Sequence, residues 1–250
     1  MTWLGRRHIR HDGLPDAPAP AAIEASPGTY AREALGVLET VRLLGWVPTL
    51  TRAPRGDGQR VVLIPGFQSP DVVMQPLTRF LRQIGHDACT WGRGWNEGRL
   101  EEDVRAMMPR IEAWAAESGR PLALVGWSLG GVISRELARE LPHAVDRIVT
   151  YGSPIVGGPS WTVTASHYGP ERCARAAERT RIRELERPLQ QAITAIYTRS
   201  DGIVSWPACI DRVSPRVTHV EVGSTHLGLG IDPEVWWVVA RALQPRAAEA

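Results

Sequence analysis

One serine lies between two close glycines in the stretch LALVGWSLGGVIS, residues 122–134, where an apolar run is followed by a helical pattern. Gly126 and Gly130 flank Ser128 in the order Gly-x-Ser-x-Gly, which is typical of a sharp strand-to-helix turn that presents a nucleophile. Small residues are needed there because the strand must turn at once into a helix. The helix start behind Ser128 also offers free N–H groups to a developing oxyanion. The alternative is a plain serine in a tight turn.

A serine hydroxyl reacts readily only when a base takes its proton and an acid orients that base. Asp201 ends the apolar run AIYTRSD, and His226 lies in a loop that follows HVEVGS, so the chain order is Ser, Asp, His. Taken alone, Asp201 is typical of a turn and His226 of a surface loop. Together with Ser128 they predict a catalytic triad at three strand ends. Asp211 and Asp232 are the fallback acids.

Six short apolar runs predict six strands, and helical patterns separate most of them. The predicted strands are VVLIPG, DACTW, PLALVGW, RIVTYGSP, AITAIYTRSD and VTHVEVGS. Strands joined through helices need crossover connections, so we expect an α/β fold with a mostly parallel sheet and helices on both faces. Ligands of such sheets bind beyond the carboxyl ends of the strands, where Ser128, Asp201 and His226 would lie.

The N-terminal part is expected to lie outside the sheet. Residues 12–28, rich in Pro and Ala, predict a flexible lead-in, and residues 30–45 predict an amphipathic helix packed on the domain. We therefore assign residues 1–58 to an N-terminal extension and residues 59–250 to the main domain. The predicted helix carries apolar residues at helical spacing: Leu35, Leu38, Val41 and Leu44.

Residues 155–190 interrupt the alternation of strands and helices. An insertion at this place would lie over the carboxyl ends of the strands, so we expect a small helical cap. Its charged residues are expected to form a solvated face: Arg172, Arg175, Glu178, Arg181 and Glu184.

Five motifs resemble those of the α/β-hydrolase superfamily, more closely bacterial lipases and esterases with a GWSLGG nucleophile elbow. They are LIPGFQS, LVGWSLGGVISRELA, VTYGSPIVGG, IYTRSDGIVSW and GSTHLGLG, within about residues 60–245. The resemblance implies an α/β-hydrolase fold with Ser128 as nucleophile, Asp201 as acid and His226 as base. It also implies that the backbone N–H groups of Phe67 and Leu129 form the oxyanion hole.

Two features depart from the superfamily pattern. Pro65-Gly66 stands where these proteins often have His-Gly, which leaves the choice between the N–H groups of Phe67 and Gln68 open. The two leading antiparallel strands are also missing and the N-terminal helix replaces them, so we expect a six-stranded core.

The resemblance implies a serine hydrolase that cleaves carboxylic esters through an acyl-enzyme. An acyltransferase or thioesterase with the same triad is the alternative, and a non-catalytic binding module on this fold is less favoured. We expect a small-molecule or lipid-like ester as substrate. Its expected contacts are Gln68, Trp127, Trp161 and Trp206.

Composition argues against several other classes of function. The 29 basic and 27 acidic residues are interspersed and give a net charge of +2, so we expect no nucleic-acid partner. The glycines of GRGWNEG, residues 92–98, are one position too far apart for a dinucleotide fingerprint, and we expect a loop at the rim of the site. Since no Cys/His/Asp cluster has metal-ligand spacing, we expect no metal and no cofactor.

The N-terminal residues lack the apolar stretch of a secretory signal, and no run is long enough for a stable membrane span. The sequence therefore predicts a cytoplasmic protein. Cys89, Cys173 and Cys209 fit free thiols in a reducing compartment, with a Cys173–Cys209 disulfide left open. The oligomeric state is not predicted.

Overall fold

Six parallel strands form the centre of the molecule, in the order β2-β1-β3-β4-β5-β6. The computed structural model describes residues 16–23, 26–34, 36 and 39–244. The predicted six-stranded sheet is confirmed. The strands are β1 (Arg60–Ile64), β2 (Asp87–Thr90), β3 (Leu122–Trp127), β4 (Val145–Tyr151), β5 (Ala192–Tyr197) and β6 (Val217–Glu221).

Helices connect most of the strands, which is why neighbouring strands can run parallel. No helix among the residues described is long and apolar enough to cross a bilayer. The α-helices are α1 (Pro27–Ala34), α2 (Glu39–Leu50), α3 (Gln75–Gln83), α4 (Leu100–Ser118), α5 (Leu129–Glu140), α6 (Ala165–Tyr168), α7 (Pro170–Glu186) and α8 (Pro233–Ala242).

Alternate residues along the strands pack on opposite faces of the sheet. Val61 and Leu63 of β1 belong to an apolar core shared with α3 and α8, whereas Val62 and Ile64 belong to a core shared with α4 and α5. All four side chains are fully buried, because helices cover both faces of the sheet. Burial of each one stabilises the fold by about 1.5–3 kcal/mol.

The N-terminal segment forms two helices, α1 and α2, where the sequence predicts one helix over residues 30–45. Gly36, which lies between these two helices in the sequence, passes so close to residues 225–228 that a side chain on it would collide with them. Leu43 and Trp46 of α2 pack against the core of α3 and α8. The predicted apolar positions lie outside the described residues or have side chains that are not described: Leu35, Leu38, Val41 and Leu44.

The expected lead-in, residues 12–28, is tied to the rest of the chain where it is described. The carbonyl of Ala17 accepts a hydrogen bond from Arg212 at 2.9 Å, and the N–H of Ala21 donates to Ser205 Oγ at 3.2 Å. Residues 12–15 and 24–25 lie outside the described residues. The lead-in thus makes specific contacts with the loops after β5.

The cap segment, residues 155–190, lies between β4 and β5 and contains α6 and α7. Near its start, Thr162 forms an antiparallel bridge with Val204, and the Val163 N–H donates to the Ile203 carbonyl at 2.9 Å. These bonds attach the cap segment to the loop that follows β5. The disulfide left open by the sequence does not form, because its two cysteines are free thiols, as is Cys89.

A buried ion network joins α7 to α5. Arg135 contacts Asp211 at 2.7 Å and Glu184 at 2.8 Å, and Arg139 contacts Glu184 at 2.7 Å and also Glu136. Glu184 is therefore buried, and its predicted place on a solvated face is wrong. Two arginines of α5 hold it inside, because a buried carboxylate needs charged or hydrogen-bonding partners.

The pKa of Asp211, an acid of this network, is strongly shifted. Burial raises the pKa of its carboxyl, but the charge of Arg135 and hydrogen bonds from Ser214 and Val213 outweigh burial and lower the pKa from 3.8 to about 2. Because the folded-state pKa is lowered, the carboxylate stabilises the fold fully above about pH 4. This stabilisation is lost as the pH falls toward about 2.

Asp211→Asn should lower the free energy of unfolding by about 3 kcal/mol at neutral pH, because Arg135 loses a buried partner. Urea unfolding should show this difference from wild type to be constant above about pH 5 and to shrink toward about pH 2. Asp57→Asn is the control, since the exposed Asp57–Arg120 pair is worth about 1 kcal/mol or less. A difference for Asp211→Asn that does not change with pH would contradict this account.

Candidate active site

Ser128 occupies a strained turn between β3 and α5. Its φ of 53° and ψ of −121° lie where residues other than glycine are rarely found. A Cβ on Gly126 would lie 2.3 Å from the Gly130 carbonyl oxygen, and a Cβ on Gly130 would lie 2.1 Å from the Ile64 carbonyl oxygen. Both collisions are with backbone atoms, so the turn needs glycine at these two positions.

The Ser128 hydroxyl does not cap α5. A serine at the N-cap commonly accepts a hydrogen bond from an N–H of the first turn, but its side chain makes no such bond here. The backbone is held on both sides, because the Ser128 N–H donates to the Tyr151 carbonyl at 2.9 Å and the Gly131 N–H donates to the Ser128 carbonyl at 3.0 Å. The hydroxyl is therefore left for other partners.

Asp201 and His226 are in direct contact. Asp201 Oδ2 and His226 Nδ1 are 2.8 Å apart, and the two side chains are only 1% and 4% exposed. The other oxygen, Asp201 Oδ1, accepts the N–H groups of Ile203 and Val204 at 2.9 and 2.7 Å. These bonds hold the carboxylate in one orientation toward the imidazole. Because Nδ1 is engaged, Nε2 is the ring nitrogen available to a ligand.

Two titratable groups of this region, Cys209 and Tyr168, are neutral near pH 7. Burial, with the negative charge of Asp201, raises the pKa of the Cys209 thiol well above its usual value. Burial also raises the pKa of Tyr168, whose ring centroid is 5.8 Å from that of Phe67. Both groups are protonated near neutral pH and add no charge to the site.

A cavity of about 510 Å³ is lined by both Ser128 and His226. Small-molecule sites commonly measure about 300–1,000 Å³, so the size suits a small or lipid-like ligand. The wall is formed by the loops after β1, β3, β5 and β6 together with the cap segment. Its apolar and aromatic side chains include Phe67, Trp127, Leu129, Val132, Tyr168, Ile203 and Leu227.

Of the expected substrate contacts, Trp127 lines this cavity, whereas Gln68, Trp161 and Trp206 are not among its lining residues. Trp206 instead stacks on Tyr197, with ring centroids 5.6 Å apart. A tryptophan near a strand end can pack on the core or face the site, and the sequence does not distinguish the two.

Neither fallback acid is engaged with His226. Asp211 pairs with Arg135 at 2.7 Å, and Asp232 caps α8 by accepting the Glu234 N–H at 2.7 Å. Asp201 is thus the acid that the structure brings to the imidazole.

Asn96 is a residue of this region that the sequence analysis does not single out. It is fully buried, and its Nδ2 donates to the Pro65 carbonyl at 2.8 Å. The Gln68 N–H donates to the Asn96 carbonyl at 2.8 Å, and the Asn96 N–H donates to the Ser69 carbonyl at 3.0 Å. One residue of the loop 92–98 therefore holds the turn after β1, in which Gln68 has a φ of 53°.

One face of α7 forms a charged part of the cavity wall. Its arginines recur every three or four residues: Arg172, Arg175, Arg179 and Arg183. Arg179 pairs with Glu101 at 2.7 Å, and Arg183 pairs with Glu136 of the buried ion network. Arg172 and Arg175, predicted to lie on a solvated face, therefore also line the cavity.

Comparison with known proteins gives one relative by sequence. No family model matches the sequence. A stretch of 100 residues is 31% identical to a pimeloyl-[acyl-carrier protein] methyl ester esterase from Aliivibrio salmonicida (strain LFI1238). The match covers 39% of this chain and 37% of that protein, so the chain spans little more than a third of its relative's length.

Solved structures show the fold. A chain of LipS and LipT, two metagenome-derived lipolytic enzymes, has a TM-score of 0.58 at 14% identity, over 76% of this chain and 94% of its own. MGS-MChE2, an alpha/beta hydrolase enzyme from a sediment metagenome of the Mar Chica lagoon, has a TM-score of 0.52 at 15% identity, over 75% and 90%. The chain therefore has the α/β-hydrolase fold.

Gly130→Ala should lower the free energy of unfolding by about 3 kcal/mol or more, because its Cβ would overlap backbone atoms that cannot move aside. Gly45→Ala is the matched control, since nothing lies within 4 Å of a Cβ at this position of α2, where alanine is favoured over glycine by up to about 1 kcal/mol. Urea unfolding should give a lower midpoint for Gly130→Ala only. Equal midpoints for the two variants would show that the turn tolerates a side chain.

Proposed function

We propose that this protein is a serine hydrolase that cleaves carboxylic esters through an acyl-enzyme. The observation that carries the proposal is the cavity lined by both Ser128, in its strained turn, and His226, whose Nδ1 is 2.8 Å from Asp201. Sequence similarity to a methyl ester esterase over 100 residues supports the reaction class.

In the proposed reaction, His226 Nε2 removes the proton of Ser128 while Oγ attacks the ester carbonyl. Asp201 orients the imidazole through Nδ1 and stabilises the imidazolium that forms. His226 then gives the proton to the departing alcohol as the C–O bond breaks, which leaves Ser128 acylated. Water, deprotonated by the same nitrogen, releases the acid and restores the hydroxyl.

The backbone N–H groups of Leu129 and Phe67 are the proposed oxyanion donors. Leu129 is the first residue of α5, and the N–H groups of a first helical turn have no carbonyl partner within the helix. At the other side of the site, the Gln68 N–H already donates to Asn96 at 2.8 Å. This engagement favours Phe67 over Gln68 as the second donor.

The proposed substrate is a small-molecule or lipid-like ester with an apolar acyl group. Apolar and aromatic side chains line the cavity together with Ser128, among them Phe67, Trp127 and Val132. Burial of an acyl chain against them contributes about 0.8 kcal/mol for each CH₂ group. Two other reactions would use the same acyl-enzyme. Acyl transfer differs in the acceptor that attacks the acyl-enzyme, and thioester cleavage differs in the leaving group, which is a thiol.

Ser128→Ala should lower kcat/KM for p-nitrophenyl esters by a factor of about a thousand or more, because the nucleophile is lost. Ser134→Ala is the matched control on the same helix, since the Ser134 hydroxyl donates to the Gly130 carbonyl at 2.8 Å and Ser134 is not a cavity-lining residue. The assay should compare esters of graded acyl length, thioesters and added alcohol acceptors. Equal rates for wild type and Ser128→Ala on every ester would contradict the proposal.

Asn96→Ala should lower kcat by a factor of about ten to a hundred, with little change in KM, because the turn that carries the Phe67 N–H loses its side-chain anchor. Trp95→Phe serves as a control in the same loop, since it removes only an exposed hydrogen bond to the Gln68 side chain. Steady-state kinetics on one ester are sufficient. An Asn96→Ala variant with the kcat of wild type would show that this anchor does not position an oxyanion donor.

A further inference from the structure

The buried carboxylate of Glu33 joins the two loops that carry Asp201 and His226. Glu33 lies on α1 and is fully buried. Its Oε1 accepts the N–H of Gly202 at 2.7 Å, and its Oε2 accepts the N–H of Leu227 at 2.9 Å. Gly202 directly follows Asp201, and Leu227 directly follows His226. One side chain from the N-terminal segment therefore connects both loops, one residue away from each member of the pair.

A second contact brings the same segment against the loop of His226. A Cβ on Gly36 would lie 2.3 Å from Thr225 Oγ1 and 2.8 Å from the Gly228 backbone nitrogen. The N-terminal segment thus meets this loop just before and just after His226. The close approach leaves little room for the segment to shift without moving the loop.

The Glu33 carboxylate can hold two backbone N–H groups in place. Hydrogen bonds to a charged group are roughly twice as strong as those between neutral groups. A buried carboxylate without partners is strongly unfavourable, so the two N–H groups and the carboxylate fix each other. Both loops lie beyond strand ends, and a second buried bond joins them, because the Thr198 hydroxyl donates to the Ser224 carbonyl at 2.6 Å. Glu33 differs from this bond in holding the residues next to Asp201 and His226 themselves.

We propose that Glu33 is a positioning residue that acts through Asp201 and His226. By holding both loops, it keeps the imidazole correctly placed toward Asp201 on one side and toward Ser128 on the other. This inference rests on the catalytic roles proposed above. Glu33 does not act on the substrate, since it is not a cavity-lining residue.

Two variants separate the parts of this interaction. Glu33→Gln keeps the size of the side chain but retains one acceptor oxygen, so one loop loses its bond and faces an NH₂ group. Glu33→Ala releases both loops. Gly36→Ala leaves the carboxylate in place and displaces the segment, which keeps the proposal testable if a Glu33 variant does not fold.

The kinetic test compares these variants with wild type per folded molecule. We expect kcat to fall by a factor of about ten to a hundred, because small displacements of catalytic groups have effects of this size. KM should change by less than about twofold, since the cavity wall is intact. Asp57→Asn is the control. Asp57 also accepts a backbone N–H, that of Gln59 at 3.1 Å, but it lies just before β1, at the amino ends of the strands and away from the site.

A spectroscopic readout does not depend on turnover. His226 Nδ1 and Asp201 Oδ2 are 2.8 Å apart. The proton between these two atoms should give a low-field proton NMR resonance that is absent from His226→Ala. We expect this resonance to shift or broaden in Glu33→Gln and in Gly36→Ala and to stay unchanged in Asp57→Asn.

Outcomes of the two tests are distinguishable. If the wild type cleaves no ester but the resonance depends on Glu33, the proposed function fails and the positioning role stands. If the Glu33 variants lose only thermal stability, with the wild-type kcat and an unchanged resonance, Glu33 is merely structural and the inference is overturned.

Discussion

A steric constraint at one turn determines where the Ser128 hydroxyl lies. Backbone carbonyls crowd Gly126 and Gly130 so closely that β3 can pass into α5 only through a strained Ser128. Such strain costs about 1–3 kcal/mol and persists only where the surrounding structure enforces it. The two apolar cores that enclose the sheet provide that enforcement. Every group that could act with the hydroxyl must therefore reach it from the loops at the carboxyl edge of the sheet.

The parts of the site that depend on local pattern could be predicted from the sequence. Apolar runs predict the six strands, and Asp201 and His226 lie in the loops that follow β5 and β6. Glu33 could not be predicted, because its partners lie 169 and 194 residues away and no spacing encodes such a contact. The contact of Asn96 with Pro65, 31 residues earlier, could not be predicted for the same reason. The sequence predicts Glu184 in solvent, because a charged helix position carries no information on the buried arginines that pair with it.

The buried ion network anchors the cap segment to the helix that follows Ser128. Arg135 and Arg139 lie on α5, which begins just after Ser128, and Glu184 lies on α7 of the cap segment. A buried ion pair is costly to break, because either partner alone is left without compensation. The end of α7 near Glu184 is thus anchored to α5. Arg183, one of the α7 arginines that line the cavity, pairs with Glu136 of the same network, so this part of the wall is held to α5.

Covalent labelling most directly tests our proposal that Asp201 and His226 make Ser128 nucleophilic. A fluorophosphonate probe, followed by proteolysis and mass spectrometry, should modify Ser128 in the wild type. The label should be lost in Ser128→Ala and should form far more slowly in His226→Ala and Asp201→Asn, since a serine without its base is a poor nucleophile. A label on another residue, or equal labelling of Ser128 without His226, would contradict the account.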